Sequence, residues 1–309
     1  MQVIYGISKF RGSLKKNILS IGIFDGIHKG HQEIIRELVL KAKEERSKSI
    51  VLTFYPNPDL QFLIYPVSYR LKLLSEMGVD ICIVIKFKKS FSDLEPEDFI
   101  SRYILRKIRP SGIIVGENFK FGRKARGDID LLSNYAKRFN LRLNLLPLKR
   151  SEGKTISSTW IRELIKKGDL KRIKRLLNRD YSVFGKVTKG KGLGRKLNYP
   201  TANICPFIPC FLPSGVYMVR VIQKNTEYRG VCYIGCRPTF GENIPRQIEI
   251  HLFNLRESLY RRNLEVRFIK KIRNERKFSN IRELKRNIKR DIQKVKKSSV
   301  FYTTRHNEI

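Results

Sequence analysis

Gly22-Ile23-Phe24-Asp25-Gly26-Ile27-His28-Lys29-Gly30-His31 stands between a short apolar run, Ile18–Phe24, and an amphipathic stretch, His31–Glu45. A strand, a glycine turn and a helix in that order open a parallel βαβ unit. Outward from it, Ser49–Phe54, Arg70–Met77, Ile81–Phe87, Pro96–Lys107, Gly112–Val115, Leu131–Phe139 and Leu141–Leu146 continue the alternation of strand and helix. The expectation is an α/β domain with a parallel sheet covered by helices. Ligands of such sheets bind beyond the carboxyl ends of the strands, where strand order reverses.

The turn itself suits polyphosphate. His28 and His31 are three residues apart, so on a helix both imidazoles address one anion. The helix N-terminus adds unpaired N–H groups, while Gly26 and Gly30 remove side chains that would block a phosphate. A His-x-x-His pair can also hold a metal, but a metal wants a further ligand close by and the neighbouring sequence offers none.

After Ser157 a helical stretch runs through Leu164 and Leu170 to Leu177, and from Tyr181 the pattern changes. Ser182–Val187, Pro200–Ile204, Val216–Ile222, Tyr228–Ile234, Gln247–Leu252 and Leu264–Ile272 are β-type runs without helices between them, as in an antiparallel sandwich or small barrel. A terminal helix, Ile281–Val295, is expected to pack Leu284, Ile288 and Ile292 against it. The reading is two domains, 1–180 and 181–309. In the second, Gly190, Gly192 and Gly194 alternate with basic Lys191 and Arg195, a pattern that wraps backbone N–H groups around phosphate. Thr201 and Asn203 share one strand face, so a hydroxyl and an amide oxygen can meet one hard cation such as magnesium.

The chain of 309 residues carries a formal charge of +37 with 41% hydrophobic and 10% aromatic residues, which excludes a disordered polyelectrolyte. The basic residues are spread along the chain beside many Ile and Asn and four Ala, the mark of codon bias toward A and T. The charge is therefore read as solvated surface with non-specific polyanion affinity, not as a nucleic-acid site. Five cysteines without a C-x-x-C pair support neither a disulfide framework nor a zinc site. The uncharged stretch Leu197–Val219 contains Pro200, Pro206, Pro209 and Pro213, which argues against a membrane helix. Met1–Gly12 has no apolar core of a signal peptide, so the expected location is cytoplasmic.

The G-x-F-D-G-x-H-x-G-H turn resembles the signature of nucleotidylyltransferases in the form used by prokaryotic FMN adenylyltransferases. Thr53-Phe54-Tyr55-Pro56-Asn57-Pro58 is similar to the family's T-F-x-P-H-P, with Asn57 in place of His. Gly116-Glu117-Asn118-Phe119-Lys120-Phe121-Gly122 is similar to its flavin- and nucleotide-lining block, and Ile156-Ser157-Ser158-Thr159-Trp160-Ile161-Arg162 to I-S-S-T-x-I-R. The resemblance implies a Rossmann-like domain in which the FMN phosphate attacks the α-phosphorus of ATP, giving FAD and pyrophosphate. It assigns charge stabilisation to His28 and His31, triphosphate binding to Ser158, Thr159 and Arg162, and nucleotide or flavin contacts to Gly22, Phe24, Asp25, Gly26, Gly30 and Asn118. Without the family, Ser158 or Thr159 reads as the N-cap of the following helix and Arg162 as a phosphate-gripping fork.

Gly190 to Asn203 resembles the riboflavin kinase signature, with Asn198 where Gly is usual, and Glu249-Ile250-His251-Leu252-Phe253 and Phe268 to Phe278 match its later segments. That resemblance implies a β-barrel kinase that phosphorylates riboflavin with ATP, with Thr201 and Asn203 on Mg2+ and Glu249 as the base. It places Gly190, Gly194 and Arg195 on the nucleotide, Arg273 and Phe278 in a flavin-side loop, and leaves His251 structural. Together the two resemblances span nearly the whole chain, as in bifunctional FAD synthetases. Two rival readings are an enzyme with one active half, and a nucleic-acid-binding protein driven by charge.

Overall fold

The computed structural model describes residues 1–11, 17–55, 62–190, 192–224, 226–235, 246–255 and 257–298. It divides into two compact units, Met1–Trp160 and Ile161–Ile309.

The first unit is built on β1 (Gln2–Tyr5), β2 (Asn17–Ile21), α1 (Lys29–Glu44), β3 (Lys48–Tyr55), α2 (Val67–Glu76), β4 (Ile81–Lys86), the short α3 (Lys89–Ser92) and α4 (Pro96–Asp98), β5 (Gly112–Gly116), α5 (Ile129–Arg138) and β6 (Arg142–Leu146). A small antiparallel hairpin, β7 (Arg150–Ser151) and β8 (Lys154–Thr155), precedes α6 (Ser158–Lys167). The six-stranded sheet is parallel with order β1-β4-β3-β2-β5-β6. From β2 the chain steps through β3 to β4 on one side, whereas β5 and β6 lie on the other, so strand order reverses between β2 and β5. That crevice is where such sheets bind ligands.

Strand β4 is nearly all apolar and every residue of β2, Asn17 and Ser20 included, is buried, because helices cover both faces. Ile35, Leu38 and Val39 of α1 press on one face with Val51, Cys82 and Val84, and Leu19, Ile50, Leu52 and Ile83 fill the other. The expected helix Pro96–Lys107 differs: after α4 the chain continues as a π-helix, Phe99–Ile108, burying Ile100, Ile104 and Ile108. Its wider turn fits their spacing of four, and Arg109 N–H closes on Ile104 O. The edge strand β1 was not anticipated, since its half-exposed sequence carries no turn signal before it.

The second unit holds most of α6, α7 (Leu170–Leu177), β9 (Tyr181–Thr188), α8 (Leu193–Lys196), β10 (Ala202–Pro206), β11 (Gly215–Gln223), β12 (Thr226–Gly235), β13 (Gln247–Leu252), β14 (Asn263–Asn274) and α9 (Ile281–Lys296). The six strands form a closed antiparallel barrel, β10-β13-β12-β11-β14-β9. Helix α9 buries Ile292 as expected and differs from the sequence reading at Leu284 and Ile288. Its buried positions are Asn287, Asp291, Ile292 and Val295, while Leu284 and Ile288 are only half-buried. The helix is rotated because Asp291 turns inward to pair with Arg273 of β14, its carboxylate accepting from Nε and Nη2 at 2.8–3.1 Å.

Candidate active sites

The glycine turn emerges from β2 at the sheet's crevice and is fixed from several sides. His28 is the N-cap of α1, its Nδ1 accepting the N–H of His31 at 3.3 Å. Neutral His28 therefore carries its hydrogen on Nε2. The rings of His28 and His31 stack with centroids 3.7 Å apart, and His31 meets the edge of Phe24 at 5.3 Å. The Asp25 carboxylate accepts the N–H groups of Ile64 at 3.0 Å and Tyr65 at 3.3 Å. Phe24, Gly26 and Ile27 all have left-handed φ, at 51°, 82° and 41°. For a buried β-branched residue such as Ile27 this costs about 1–3 kcal/mol. Gly26 is favoured by its φ, and a Cβ there would in addition press on the Cδ1 of Ile64 at 2.9 Å.

The turn is also tied to the segment around α6. Ser158 Oγ donates to Asp25 O at 2.8 Å. The cap of α6 is Ser157, whose Oγ accepts the Trp160 N–H at 3.2 Å, and not Ser158 or Thr159 as the sequence suggested. Thr159 is exposed in the first turn, and Arg162 follows one turn along the same helix. Gly22 opens the turn, Gly30 lies in the first turn of α1, and Asn118 is exposed in the loop after β5, the other strand of the crevice. A continuous aromatic run links the carboxyl ends of β3 and β5: Phe54 to Phe91 at 5.4 Å, Phe91 to Phe99 at 5.9 Å, Phe99 to Phe121 at 5.7 Å and Phe121 to Phe119 at 5.4 Å. Asn57 lies outside the described residues.

In the barrel, Asn203 on β10 faces Glu249 on β13 across the ladder, and Thr201 Oγ1 donates to Glu249 Oε2 at 3.4 Å. The three oxygen-bearing groups singled out in the sequence are thus brought together. Gln247 donates its amide to Glu249 Oε1, a partner the sequence reading missed although Gln247, Glu249 and His251 alternate on one strand face. His251 Nδ1 lies 2.9 Å from Pro200 O and its ring meets Tyr199 edge-on, which agrees with a structural role.

The glycine flap closes over these groups. A Cβ on Gly190 would sit 2.0 Å from the Asn203 amide nitrogen, so only glycine lets the chain pass there. Gly194 and Arg195 lie in α8, and Lys191 is outside the described residues. Asn198, in place of the usual glycine, has φ 66°, a left-handed value that Asn tolerates better than other side chains. Arg273 stands at the end of β14, bound to Asp291 and 5.6 Å from the Phe278 ring.

The described cysteines are free. Burial pushes the thiols of Cys82 up to about 12 and Cys210 up to about 11, so neither is a nucleophile at neutral pH. No group of three His, Cys, Asp or Glu among the described residues could by itself hold a metal, and no described helix is long and apolar enough to cross a membrane.

A parallel sheet with a ligand crevice and a closed barrel with a glycine flap give the chain two domains, each with its own candidate site. Residues 11–160 match the family model for FAD synthetase and residues 177–299 that for riboflavin kinase. The chain is 36% identical to the bifunctional riboflavin kinase/FMN adenylyltransferase of Buchnera aphidicola from Schizaphis graminum, over 96% of this chain and 98% of the relative. It is 31% identical to the Bacillus subtilis enzyme of that name, over 90% and 91%. A solved structure described as a macrolide-efflux protein from Streptococcus pneumoniae superposes with a TM-score of 0.85 at 27% identity, covering 97% of this chain and all of that one. The chain belongs to the bifunctional riboflavin kinase/FMN adenylyltransferase family.

Proposed function

We propose that this protein phosphorylates riboflavin to FMN with ATP in its barrel, residues 181–309, and adenylylates FMN with a second ATP in its α/β domain, residues 1–180, releasing FAD and pyrophosphate. The observation that carries the reading is the pair of separate oxygen- and nitrogen-rich sites, each beside a glycine turn through which main-chain amides can approach phosphate.

In the α/β site the FMN phosphate oxygen attacks the α-phosphorus of ATP and the pyrophosphate leaves, so no protein nucleophile is needed. The Nε2–H of His28 and the imidazole of His31 stabilise negative charge that develops on the phosphates. Thr159 and Arg162, with the main-chain N–H of Ser158, hold the leaving pyrophosphate group, the Ser158 hydroxyl anchors the turn at Asp25 O, Gly22, Phe24, Asp25, Gly26 and Gly30 shape that turn, and Asn118 with the neighbouring aromatic run receives the flavin.

In the barrel, Glu249 takes the proton of the riboflavin 5′-hydroxyl as that oxygen attacks the γ-phosphorus of ATP. Gln247 orients the carboxylate. The hydroxyl of Thr201 and the amide oxygen of Asn203 are hard donors beside that carboxylate and would hold Mg2+. When bound, the ion neutralises phosphate charge. Gly190, Gly194 and Arg195 wrap the nucleotide, and Arg273 lies toward the flavin-side loop. The enzyme is placed in the cytoplasm, and its +37 charge gives only non-specific, salt-sensitive affinity for polyanions.

Incubation with riboflavin, ATP and Mg2+, followed by chromatography, tests the reading. FMN should appear first and FAD after it. If neither forms, the reading fails; if only one forms, the chain has a single active half.

A further inference from the structure

We infer that Arg70 is a positioning residue for FMN adenylylation, holding the phosphate turn in its reactive shape from beneath. The inference rests on the reading of the first site given above. Arg70 lies on α2, is 2% exposed, and is among the largest fully buried side chains of the protein. Its Nη1 donates to Ile23 O in the turn, and its Nη2 donates to Phe54 O at 3.4 Å. Thr53 Oγ1, itself donating to Ile23 O at 3.0 Å, lies 3.5 Å from Nη1.

All these acceptors are neutral and all belong to the carboxyl ends of β2 and β3. No described carboxylate forms an ion pair with Arg70, and its Nε has no acceptor among the described residues. Burial lowers its hold on its proton, and the charge of Asp25 in the same turn acts the other way. Pure stability is poorly served by a buried, incompletely paired charge, because an apolar side chain of similar size is often as good there.

The geometry suggests what the charge does instead. In a trans peptide the C=O and the following N–H point in opposite directions. Capture of Ile23 O therefore turns the Phe24 N–H away from Arg70, and that N–H has no acceptor among the described residues. The same anchor supports Phe24 in its left-handed conformation, φ 51°. A main-chain donor is thereby held ready, and a permanent positive charge lies under the place where phosphate charge collects. Such preorganisation acts most on the transition state, so its loss should appear in kcat more than in KM.

The test compares the wild type with Arg70→Met and Arg70→Lys in the full chain, measuring kcat and KM for ATP in FAD formation from supplied FMN, with riboflavin phosphorylation in the same preparation as the internal control. Arg70→Met should lower kcat for FAD at least about 100-fold with KM for ATP within about threefold, leaving the kinase unchanged. Arg70→Lys, which keeps the charge but not the fork, should recover at least about tenfold. A kcat within about threefold of wild type, a loss confined to KM, no recovery with lysine, or a parallel loss of kinase activity would each overturn the assignment. Absence of FAD from the wild type would instead overturn the reading of the site itself.

Discussion

The two glycine turns solve one problem in opposite ways. The turn at the sheet is buried: Phe24 and Asp25 are 2% exposed and His28 is 6% exposed, and the side chains of Thr53, Arg70 and Ser158, from outside the turn, fix its backbone. The flap over the barrel is exposed along Gly190, Gly192 and Arg195, and it meets its site by close approach to Asn203. The first cradle is stiffened by packing and hydrogen bonds before phosphate arrives. The second depends on glycines, Gly190 and Gly194, that let the chain pass close over Asn203 and Thr201. Damage to the first should therefore come from removing anchors, and damage to the second from adding atoms.

The sharpest break in that comparison is functional independence. Glu249→Gln should lower riboflavin phosphorylation by about 10³-fold while FAD formation from supplied FMN continues, since proton abstraction is worth about 10²–10⁴ in rate. His28→Ala should do the reverse, lowering FAD formation by about 10³-fold with FMN formation intact. Separate assays of the two products on each variant check this, and loss of both activities in either variant would end the two-site assignment.

Added bulk comes next in size. Gly190→Ala puts a methyl group 2.0 Å from the Asn203 amide, so either the flap or Asn203 must move. Kinase activity should fall by about 10²-fold, with FAD formation from FMN unaffected. A kinase within about twofold of wild type would show that the flap adapts freely. Removing an anchor from the other turn is milder. Ser158→Ala deletes the bond to Asp25 O and should lower FAD formation about five- to tenfold, corresponding to a hydrogen bond of about 1 kcal/mol. An unchanged rate would mean that the turn keeps its shape without that tie.

Local chemistry made much of this legible. The alternation of strand and helix after residue 18 revealed the parallel sheet, and the shift to strands without helices after Tyr181 revealed the barrel. His28 with His31, and Thr201 with Asn203, stand in short motifs, and the structure brings the first pair into ring contact and the second beside Glu249. What escaped were long-range pairings. Leu284 and Ile288 seemed the natural packing face of α9 until Asp291, which sequence alone cannot pair with Arg273, set the helix's rotation. Arg70 reads as one more surface cation in a chain of 65 basic residues, and only the fold shows it beneath the turn. Ser157 displaced Ser158 as the cap because Ser158 had a second partner, Asp25 O, far away in sequence.

The smallest effect is expected at the opposite edge of the same sheet, where strands begin. There Asp80 accepts from Lys48 Nζ at 2.8 Å and from the N–H and hydroxyl of Ser49 at 3.0 and 2.8 Å. Burial pulls the Asp80 pKa up, but these hydrogen bonds and the Lys48 charge outweigh it, and the net shift is downward. A carboxylate whose folded pKa is depressed stabilises the fold above its unfolded value of about 3.9, and that contribution fades as pH falls through the lower folded value. Asp80→Asn should therefore cost about 1 kcal/mol between about pH 5 and 7, and the difference from wild type should shrink toward zero in strong acid. Trp160, the protein's single tryptophan and buried in the first unit, reports that unfolding by fluorescence in urea. Both activities should be unchanged at neutral pH, because Asp80 lies at the end of the sheet opposite the proposed site. A pH-independent difference would show that Asp80 acts by shape, and a loss of FAD formation would show that the two edges of the sheet are not separate in function.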